Sequence, residues 1–144
     1  MIERLLDILT MQLVRVRGDS MAPALRLGSW ALFSRRALRD GRGPRRFDIV
    51  RFEDPSRAGW SVKRVAGLPG EDVRLENGAL YIDGRPVSEP HASPVDGPEW
   101  LEWRPGPGEY VVLGDNRARS TDSRRYGCVP AAALRGRLVR RLGR

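Results

Sequence analysis

The chain is 144 residues long, with 40% of them hydrophobic, a length that allows one modest domain with a buried core and excludes two ordinary domains. The only cysteine, Cys128, excludes an internal disulfide, and one cysteine with one histidine gives no plausible metal site, so no metal or other cofactor is expected. The formal net charge of +8 is compatible with nucleic acid or an anionic membrane surface and does not choose between them.

The first predicted element is a short helix within residues 1–13, followed by the domain proper at 14–144. Apolar residues near one face, among them Ile2, Leu5 and Leu9, predict a helix that either packs on its own domain or contacts a membrane interface. A helix that crosses a bilayer needs about 20 apolar residues. Only 19 residues precede Ser20, and several are charged, so no span is expected there. A start that lacks an upstream anchor would give the same pattern.

A strand and a turn follow, and the turn carries a serine. Residues 13–25, LVRVRGDSMAPAL, alternate apolar and polar side chains and then turn, which places the hydroxyl of Ser20 on the turn. A serine is a weak nucleophile and needs a base beside it. The single histidine, His91, lies in a proline-rich polar segment and is expected to be a solvated surface side chain. A Ser/His/Asp triad is therefore poorly supported.

Most of the remaining chain predicts short strands joined by turns. Asn77 with Gly78 and Asp83 with Gly84 are typical of hairpin turns. Residues 130–134 predict one helical turn, and an arginine-rich strand or tail follows them. The predicted strands cover residues 29–34, 48–52, 60–67, three segments within 72–87, and 109–115. A β-rich domain with short helices is the expectation.

The composition singles out Lys63. It is the only lysine among 26 basic residues, and the other 25 are arginines. An arginine stays protonated at physiological pH, whereas a buried lysine can lose its proton. Alternation along its strand would place Lys63 opposite Val62 and Arg64, with Val65 and the strand at 48–52 as apolar walls. Lys63 is a candidate general base, and a solvated surface charge is the alternative.

Four segments resemble, in order, the signature segments of bacterial type I signal peptidases. They are GDSMAPAL at 18–25, FDIVRFEDP at 47–55, VKRVAGLPGEDV at 62–73 and GDNRARSTDSRRYGCV at 114–129. The resemblance implies a mainly β fold of coiled, barrel-like sheets with short helices. It also implies a Ser/Lys endopeptidase that removes N-terminal signal peptides from exported preproteins.

The resemblance assigns roles at the matching positions. Ser20 would be the nucleophile, Lys63 its neutral general base, and Ser120 a hydrogen-bonding partner that orients the Lys63 amine. The segment GDNRARSTDSRRYG, residues 114–127, is here called the signature loop. Two carboxylates would hold two arginines in ion pairs that fix this loop against the strand of Lys63; these residues are Asp115, Asp122, Arg64 and Arg124. A solvated polar turn is the alternative for this loop. Its glycines, Gly114 and Gly127, are expected to be backbone requirements.

Stabilisation of the oxyanion is expected from the backbone N–H of Ser20. Many relatives carry a hydroxyl residue two positions before the nucleophile as a second donor, but Gly18 stands there in this chain. The second donor would then be a backbone group or water. Asp19 would place a negative charge near the oxyanion unless it points to solvent.

Substrate choice in the family follows from shallow apolar pockets that admit small residues, typically alanine, at positions −1 and −3. The substrate would bind in an extended form and add a strand to a sheet edge. The matching positions, for which core packing is the simpler role, are Val14, Val16, Met21, Leu25 and Val62.

Two other functions stay open. A soluble Ser/Lys maturation protease for one dedicated precursor is favoured by the missing span. A non-catalytic domain that binds RNA or anionic lipid rests on the arginines within 35–46 and 135–144. These two segments lack the aromatic side chains needed for base stacking, so no nucleic-acid partner is expected. By resemblance the partners are preprotein signal peptides and a membrane surface. The location would be the extracytoplasmic face of the membrane, or the cytoplasm if the absence of an anchor is genuine.

Overall fold

The computed structural model describes residues 2–39, 41, 43–95 and 98–143. Arg42 and Arg144 of the arginine-rich segments lie outside the described residues. The helices are α1 (Ile2–Leu9) and α2 (Ser123–Tyr126), with 3-10 turns at Arg36–Leu38, Arg117–Arg119 and Ala131–Ala133. The strands are β1 (Met11–Arg15), β2 (Trp30–Ser34), β3 (Ile49–Glu53), β4 (Trp60–Gly67), β5 (Val73–Glu76), β6 (Ala79–Ile82), β7 (Arg85–Val87), β8 (Trp100–Trp103), β9 (Glu109–Leu113), β10 (Val129–Pro130) and β11 (Leu134–Leu142).

The strands form two antiparallel sheets. The larger sheet has the order β1-β2-β11-β3-β4-β9-β10, and the smaller has the order β7-β6-β5-β8. This arrangement confirms the mainly β fold with short helices. The strand β1, which precedes the serine turn, and the strand β4, which carries Lys63, belong to the same sheet, with three strands between them.

Two tight turns shape the smaller sheet as the sequence predicts. Asn77 and Gly78 have φ values of 50° and 82°, and Asp83 and Gly84 have values of 49° and 79°. Successive positive φ angles are the mark of the turns that suit a right-handed twisted hairpin. They bring β5 against β6 and β6 against β7.

The arginine-rich segment, expected to be a strand or a tail, is the strand β11, and it lies in the middle of the larger sheet between β2 and β3. Two strands were not predicted. They are β8, which pairs with β5, and β10, which pairs with β9. With four and two residues, they are too short to show a period of two.

Apolar side chains fill three regions, and one of them lies directly beneath the serine turn. There Met21 and Leu25 are each 2% exposed and pack with Val14 and Phe33 of the first two strands. A second region lies around Val50, Phe52 and Val65 behind Lys63. The third lies between the two sheets and contains Ala66, Val73, Leu75, Leu80, Ile82, Val111 and Leu113.

The N-terminal helix leaves apolar side chains uncovered. Ile2, Leu5, Ile8 and Leu9 of α1 are between 62% and 75% exposed, so this apolar surface does not pack on the domain. None of the helices within the described residues is both long and apolar enough to cross a membrane.

Candidate active site

Ser20 and Lys63 meet at the centre of the site. The Nζ atom of Lys63 lies 2.9 Å from the Oγ atom of Ser20, which is hydrogen-bonding distance, and also donates to the carbonyl of Val62 at 3.1 Å. Ser20 comes from the turn after β1, and Lys63 comes from β4, which are 43 residues apart in the chain. The only lysine is therefore placed directly against the turn serine.

The surroundings of Lys63 disfavour its charged form. The residue is 5% exposed, and its antiparallel partner on β3 is the fully buried Val50. Burial lowers the pKa of the Lys63 ammonium, the Asp122 and Asp54 carboxylates raise it part of the way back, and Arg57 lowers it. The net shift is downward, so more of this amine is neutral near pH 7 than of an exposed lysine.

The signature loop holds the serine turn in place through Asn116. The backbone N–H of Asn116 donates to the carbonyl of Ser20 at 2.9 Å, and its side-chain amide donates to the carbonyl of Asp19 at 3.2 Å. The structure thus ties residues 19 and 20 to a loop almost 100 positions later. Asn116 was not predicted as a site residue, although it lies within the GDNR segment of the resemblance.

The loop is fixed to β4 by a buried ion pair. Arg64 donates two hydrogen bonds to Asp115, of 2.8 Å and 2.7 Å, and a third to the carbonyl of Phe47. The Asp115 side chain is 1% exposed. Bidentate pairing of this kind sets orientation as well as distance, because both guanidinium N–H groups must align. Lys63 and Arg64 are adjacent on β4, so the pair also sets the position of the lysine strand.

Asp122 joins several parts of the same loop. It accepts hydrogen bonds from the backbone N–H of Gly114, from Arg124 and from the hydroxyl of Ser120. Burial raises the pKa of its carboxyl, but these donors more than offset that effect and lower it. Asp122 is therefore ionised at neutral pH and acts on Lys63 as a buried negative charge.

Ser120 differs in detail from its expected contact. Its Oγ donates to Oδ2 of Asp122 at 2.8 Å, and the hydrogen bonds of the Lys63 amine go to Ser20 and Val62. A direct bond from Ser120 to the lysine stays a prediction. Ser120 is nevertheless packed into the site, since a Cβ added at Gly114 would lie 2.0 Å from its Oγ and 2.8 Å from the carbonyl oxygen of Ser20.

A buried carboxylate beside Lys63 was missed by the sequence analysis. The side chain of Asp54 is 3% exposed and accepts hydrogen bonds from Ser56 N and Oγ, from Ser61 Oγ and from Arg57 Nε. Burial raises the pKa of Asp54, but these four hydrogen bonds more than offset it and lower the pKa to about 2. The one local signal is the Asp-Pro-Ser order of residues 54–56, which is typical of a turn closed by an aspartate side chain.

The backbone at the serine turn leaves a donor free. Within the described part of the chain, the N–H of Ser20 makes no hydrogen bond. Gly18 has a φ of +79°, and nothing lies within 4 Å of a Cβ built there. The side chain of Asp19 is 45% exposed and pairs with Arg119 at 3.1 Å, so its charge is partly neutralised.

A cavity of about 220 Å³ adjoins Ser20; we call it the apolar cavity after its apolar walls, although Arg17, Arg57 and Lys63 also line it. Four of the five residues predicted to bind substrate line it: Val16, Met21, Leu25 and Val62. The fifth, Val14, is not among the described lining residues and packs beneath it. Trp60 also lines the cavity and was not predicted there.

Other chemically notable residues lie elsewhere. His91 is not solvated as expected, because its side chain is 14% exposed, packs edge-on against Phe47 and lies 3.7 Å from Glu89. Cys128 is a free, partly buried thiol whose pKa is raised by burial. Among the described residues, no group of three or more His, Cys, Asp and Glu side chains could hold a metal ion.

The arginine-rich segments are partly neutralised by ion pairs. Arg46 pairs with Glu71, Arg135 with Glu53 and Arg137 with Asp48; in each pair the two residues are far apart in the sequence.

Comparisons with known proteins identify one family. The model of the family "Signal peptidase, peptidase S26" matches residues 2–142. A signal peptidase I of Bacillus caldolyticus is 37% identical over 138 residues, covering 85% of this chain and 74% of that protein. A signal peptidase I of Leptolyngbya laminosa is 33% identical over 132 residues, covering 86% of this chain and 64% of that protein, just under two thirds. The crystal structure of a signal peptidase I from Enterococcus faecalis V583 matches with a TM-score of 0.61 and 34% identity, covering 68% of this chain and 98% of that chain.

Proposed function

The chain belongs to the signal peptidase family, peptidase S26, and on that premise we propose that it is a serine endopeptidase that removes N-terminal signal peptides from preproteins with a Ser20/Lys63 dyad. The observation that carries the proposal is the 2.9 Å contact between Nζ of Lys63 and Oγ of Ser20 in a setting that lowers the lysine pKa. His91, the only imidazole in the chain, packs against Phe47 and Glu89 instead.

The first step is attack on the scissile carbonyl. Ser20 Oγ bonds to the carbonyl carbon, and its proton passes to the neutral amine of Lys63. The resulting ammonium then gives that proton to the leaving amine as the acyl bond to Ser20 replaces the peptide bond. A water molecule then loses a proton to the same amine and attacks the acyl carbon, the bond from that carbon to Ser20 Oγ breaks, and the Lys63 ammonium gives its proton back to Oγ.

Charge develops on the carbonyl oxygen during both attacks. The unbonded N–H of Ser20 is one donor available to it. Gly18 carries no hydroxyl, so the second donor would be a backbone group of the turn or water. The open space at Gly18 leaves room for that oxygen to approach the backbone.

Substrate selection would come from the apolar cavity. Its volume of about 220 Å³ and its walls of Val16, Met21 and Val62 suit small apolar side chains. The Trp60–Val62 part of β4 is paired with β3, whereas pairing with β9 begins at Arg64. One side of this segment is therefore free to hydrogen-bond an extended peptide. These features favour small residues at positions −1 and −3.

The membrane is the expected setting of such a reaction. The uncovered apolar side chains of α1 suit insertion at a bilayer interface. The net charge of +8 would favour an anionic surface.

The proposal is tested by cleavage of a preprotein with an Ala-x-Ala signal peptide in detergent. Wild type should cut after the second alanine, whereas Ser20→Ala and Lys63→Met should lose at least about 1,000-fold in kcat/KM, because the nucleophile or its base is absent. Lys63→Met keeps the length of the side chain without a proton acceptor. Ser88→Ala is the matched control, since Ser88 is an exposed serine that directly follows β7 in the smaller sheet. Undiminished cleavage by Ser20→Ala would overturn the dyad, and a well-folded wild type that cleaves no signal peptide would overturn the function.

A further inference from the structure

Two depressions meet at Ser20 and Lys63, and they differ in the residues that line each of them alone, which are mostly apolar in one and mostly charged or hydroxyl-bearing in the other. One is the apolar cavity described above. The other, here called the charged pocket, has a volume of about 410 Å³ and also contacts Gly18, Ser20 and Lys63. The residues that line only the charged pocket are Asp19, Asp54, Ser56, Arg119 and Thr121, while Arg17 and Arg57 border both depressions. Ser20, the proposed nucleophile, lies on their shared boundary.

The position of the charged pocket next to Ser20 indicates which part of a bound substrate it would contact. A peptide attacked at Ser20 continues on both sides of the scissile bond. If the residues before the bond occupy the apolar cavity, as the proposed function requires, the residues after it must leave the nucleophile in another direction. The charged pocket is a second depression that Ser20 borders. The first residues after the bond would therefore enter it.

The acidic groups of the charged pocket are already engaged. Asp54 is almost completely buried and accepts four hydrogen bonds. Asp19 pairs with Arg119 at 3.1 Å. Both carboxylates already have an arginine partner, which reduces their attraction for a cationic substrate residue.

Two basic groups keep exposed positive charge. Arg57 is 67% exposed and makes 3.3 Å contacts with Asp54 through its Nε and with the hydroxyl of Ser61 through a terminal nitrogen. Arg17 is exposed and, within the described residues, makes no hydrogen bond or ion pair. Exposed positive charge, unpaired at Arg17 and paired over 3.3 Å at Arg57, therefore borders the route of the leaving group.

We propose that the charged pocket binds the first residues after the scissile bond, and that Arg17 and Arg57 favour an acidic side chain there over a basic one. The inference rests on the proposed function, because it takes its direction from the apolar cavity. An acidic residue would pair with exposed guanidinium groups, and a basic residue would be repelled by them. Exposed pairs of this kind contribute small energies, so the selectivity is expected to be about three- to tenfold.

The test compares three preprotein peptides that share one Ala-x-Ala signal sequence and differ only in the residue after the bond, which is Glu, Gln or Lys. Wild type should cleave the Glu peptide about three- to tenfold better than the Lys peptide in kcat/KM, and this ratio should fall toward one in 1 M salt. Arg17→Gln and Arg57→Gln should each reduce the ratio, and the double variant should abolish it. Arg104→Gln, which replaces an arginine that is 81% exposed and lies outside both depressions, should keep it.

The ratio of kcat/KM for the Glu peptide to that for the Lys peptide is independent of any change in the pKa of Lys63. Arg57 acts electrostatically on Lys63, so Arg57→Gln changes the absolute rate for every peptide by the same factor. The same peptides, fluorescently labelled and titrated into Ser20→Ala, give a second readout in which the Glu peptide should bind more tightly than the Lys peptide.

The outcomes are distinct. Cleavage of all three peptides at equal rates, or a ratio unchanged in the double variant, would overturn this inference and leave the proposed function standing. Cleavage of none of them by folded wild type would overturn the proposed function and the inference with it.

Discussion

Lys63 of β4 lies directly opposite Val50 of β3, and both side chains are shielded from solvent, with 5% and 0% exposure. The pairing of these two strands is thus enough to place the amine of Lys63 on an apolar surface, independently of its contact with Ser20. Burial there lowers the pKa of Lys63, against the opposing charges of Asp122 and Asp54 and together with that of Arg57.

Activity should therefore rise with pH. Only the neutral amine accepts the serine proton, so kcat/KM on a peptide with uncharged residues at the cleavage site should increase along an acidic limb. The midpoint of this limb should lie below the ordinary lysine value of 10.5, because the pKa of Lys63 is lowered chiefly by burial. A limb centred at or above 10.5 would contradict the assignment of Lys63 as the base.

Asp54→Asn should move that limb to lower pH. The substitution removes one of the two negative charges that raise the pKa of Lys63, while burial continues to lower it. The measurement is the same pH profile of kcat/KM, with Glu102→Gln on the exposed side of β8 as the control. A shift to higher pH in Asp54→Asn would show that Asp54 does not oppose deprotonation of Lys63.

Asp54 should also contribute to stability in a defined pH range. Its pKa in the folded protein is about 2, below the ordinary 3.8, so its contribution is present above about pH 4 and is lost as pH falls toward 2. The contribution should be on the order of 1 to 2 kcal/mol. Urea unfolding at pH 6 and at pH 2.5 should give a wild-type minus Asp54→Asn difference that shrinks at the lower pH. A difference independent of pH would contradict the ionised, hydrogen-bonded carboxylate.

Gly114→Ala should disable the site. The new Cβ would lie 2.0 Å from Oγ of Ser120 and 2.8 Å from the carbonyl oxygen of Ser20, so the signature loop and the serine turn must separate. We expect kcat/KM to fall by about 100-fold and the free energy of unfolding by about 1 to 3 kcal/mol. Gly143→Ala, where a Cβ meets nothing within 4 Å, is the matched control. Full activity in Gly114→Ala would show that the loop and the turn can part without moving Ser20.

Breaking the pair of Arg64 and Asp115 should be far more costly than breaking a surface pair. Arg64→Gln would leave Asp115, 1% exposed, as an uncompensated buried carboxylate, a loss of about 3 to 5 kcal/mol. Arg104→Gln removes an exposed partner of Asp72 at 3.8 Å and should cost less than about 1 kcal/mol. Chemical denaturation of both variants gives the comparison, and equal losses would contradict the structural role of the buried pair.

The part of the fold that follows from local pattern was predictable from sequence. The alternation in residues 60–67 predicts the full extent of β4, because a half-buried strand leaves a period of two. The Asn-Gly and Asp-Gly pairs predict two hairpins because few other residues tolerate positive φ. The isolation of Lys63 among arginines and the position of Ser20 on a turn are likewise properties of the sequence.

Features that depend on distant contacts were not predictable in this way. Asp54 belongs to the site because a turn folds it back onto Ser61 and Arg57 beside β4. Asn116 belongs to it because its loop reaches a turn almost 100 residues earlier. The many arginines of β11 are not typical of a central strand, so its place in the middle of the sheet was not predicted. Gly136 of this strand packs closely against Phe33 of β2.

The central position of β11 has a consequence for the timing of synthesis. Among the described strand pairings of the larger sheet, only β11 (Leu134–Leu142) connects the β1-β2 hairpin, whose loop carries Ser20, to the β3-β4 pair, which carries Lys63; the other contacts between these halves are made by side chains, such as that of Arg51 with Gln12. In a nascent chain on the ribosome, the two halves therefore lack a shared backbone pairing until β11 has emerged. We expect the contact between Ser20 and Lys63 to become stable only late in synthesis.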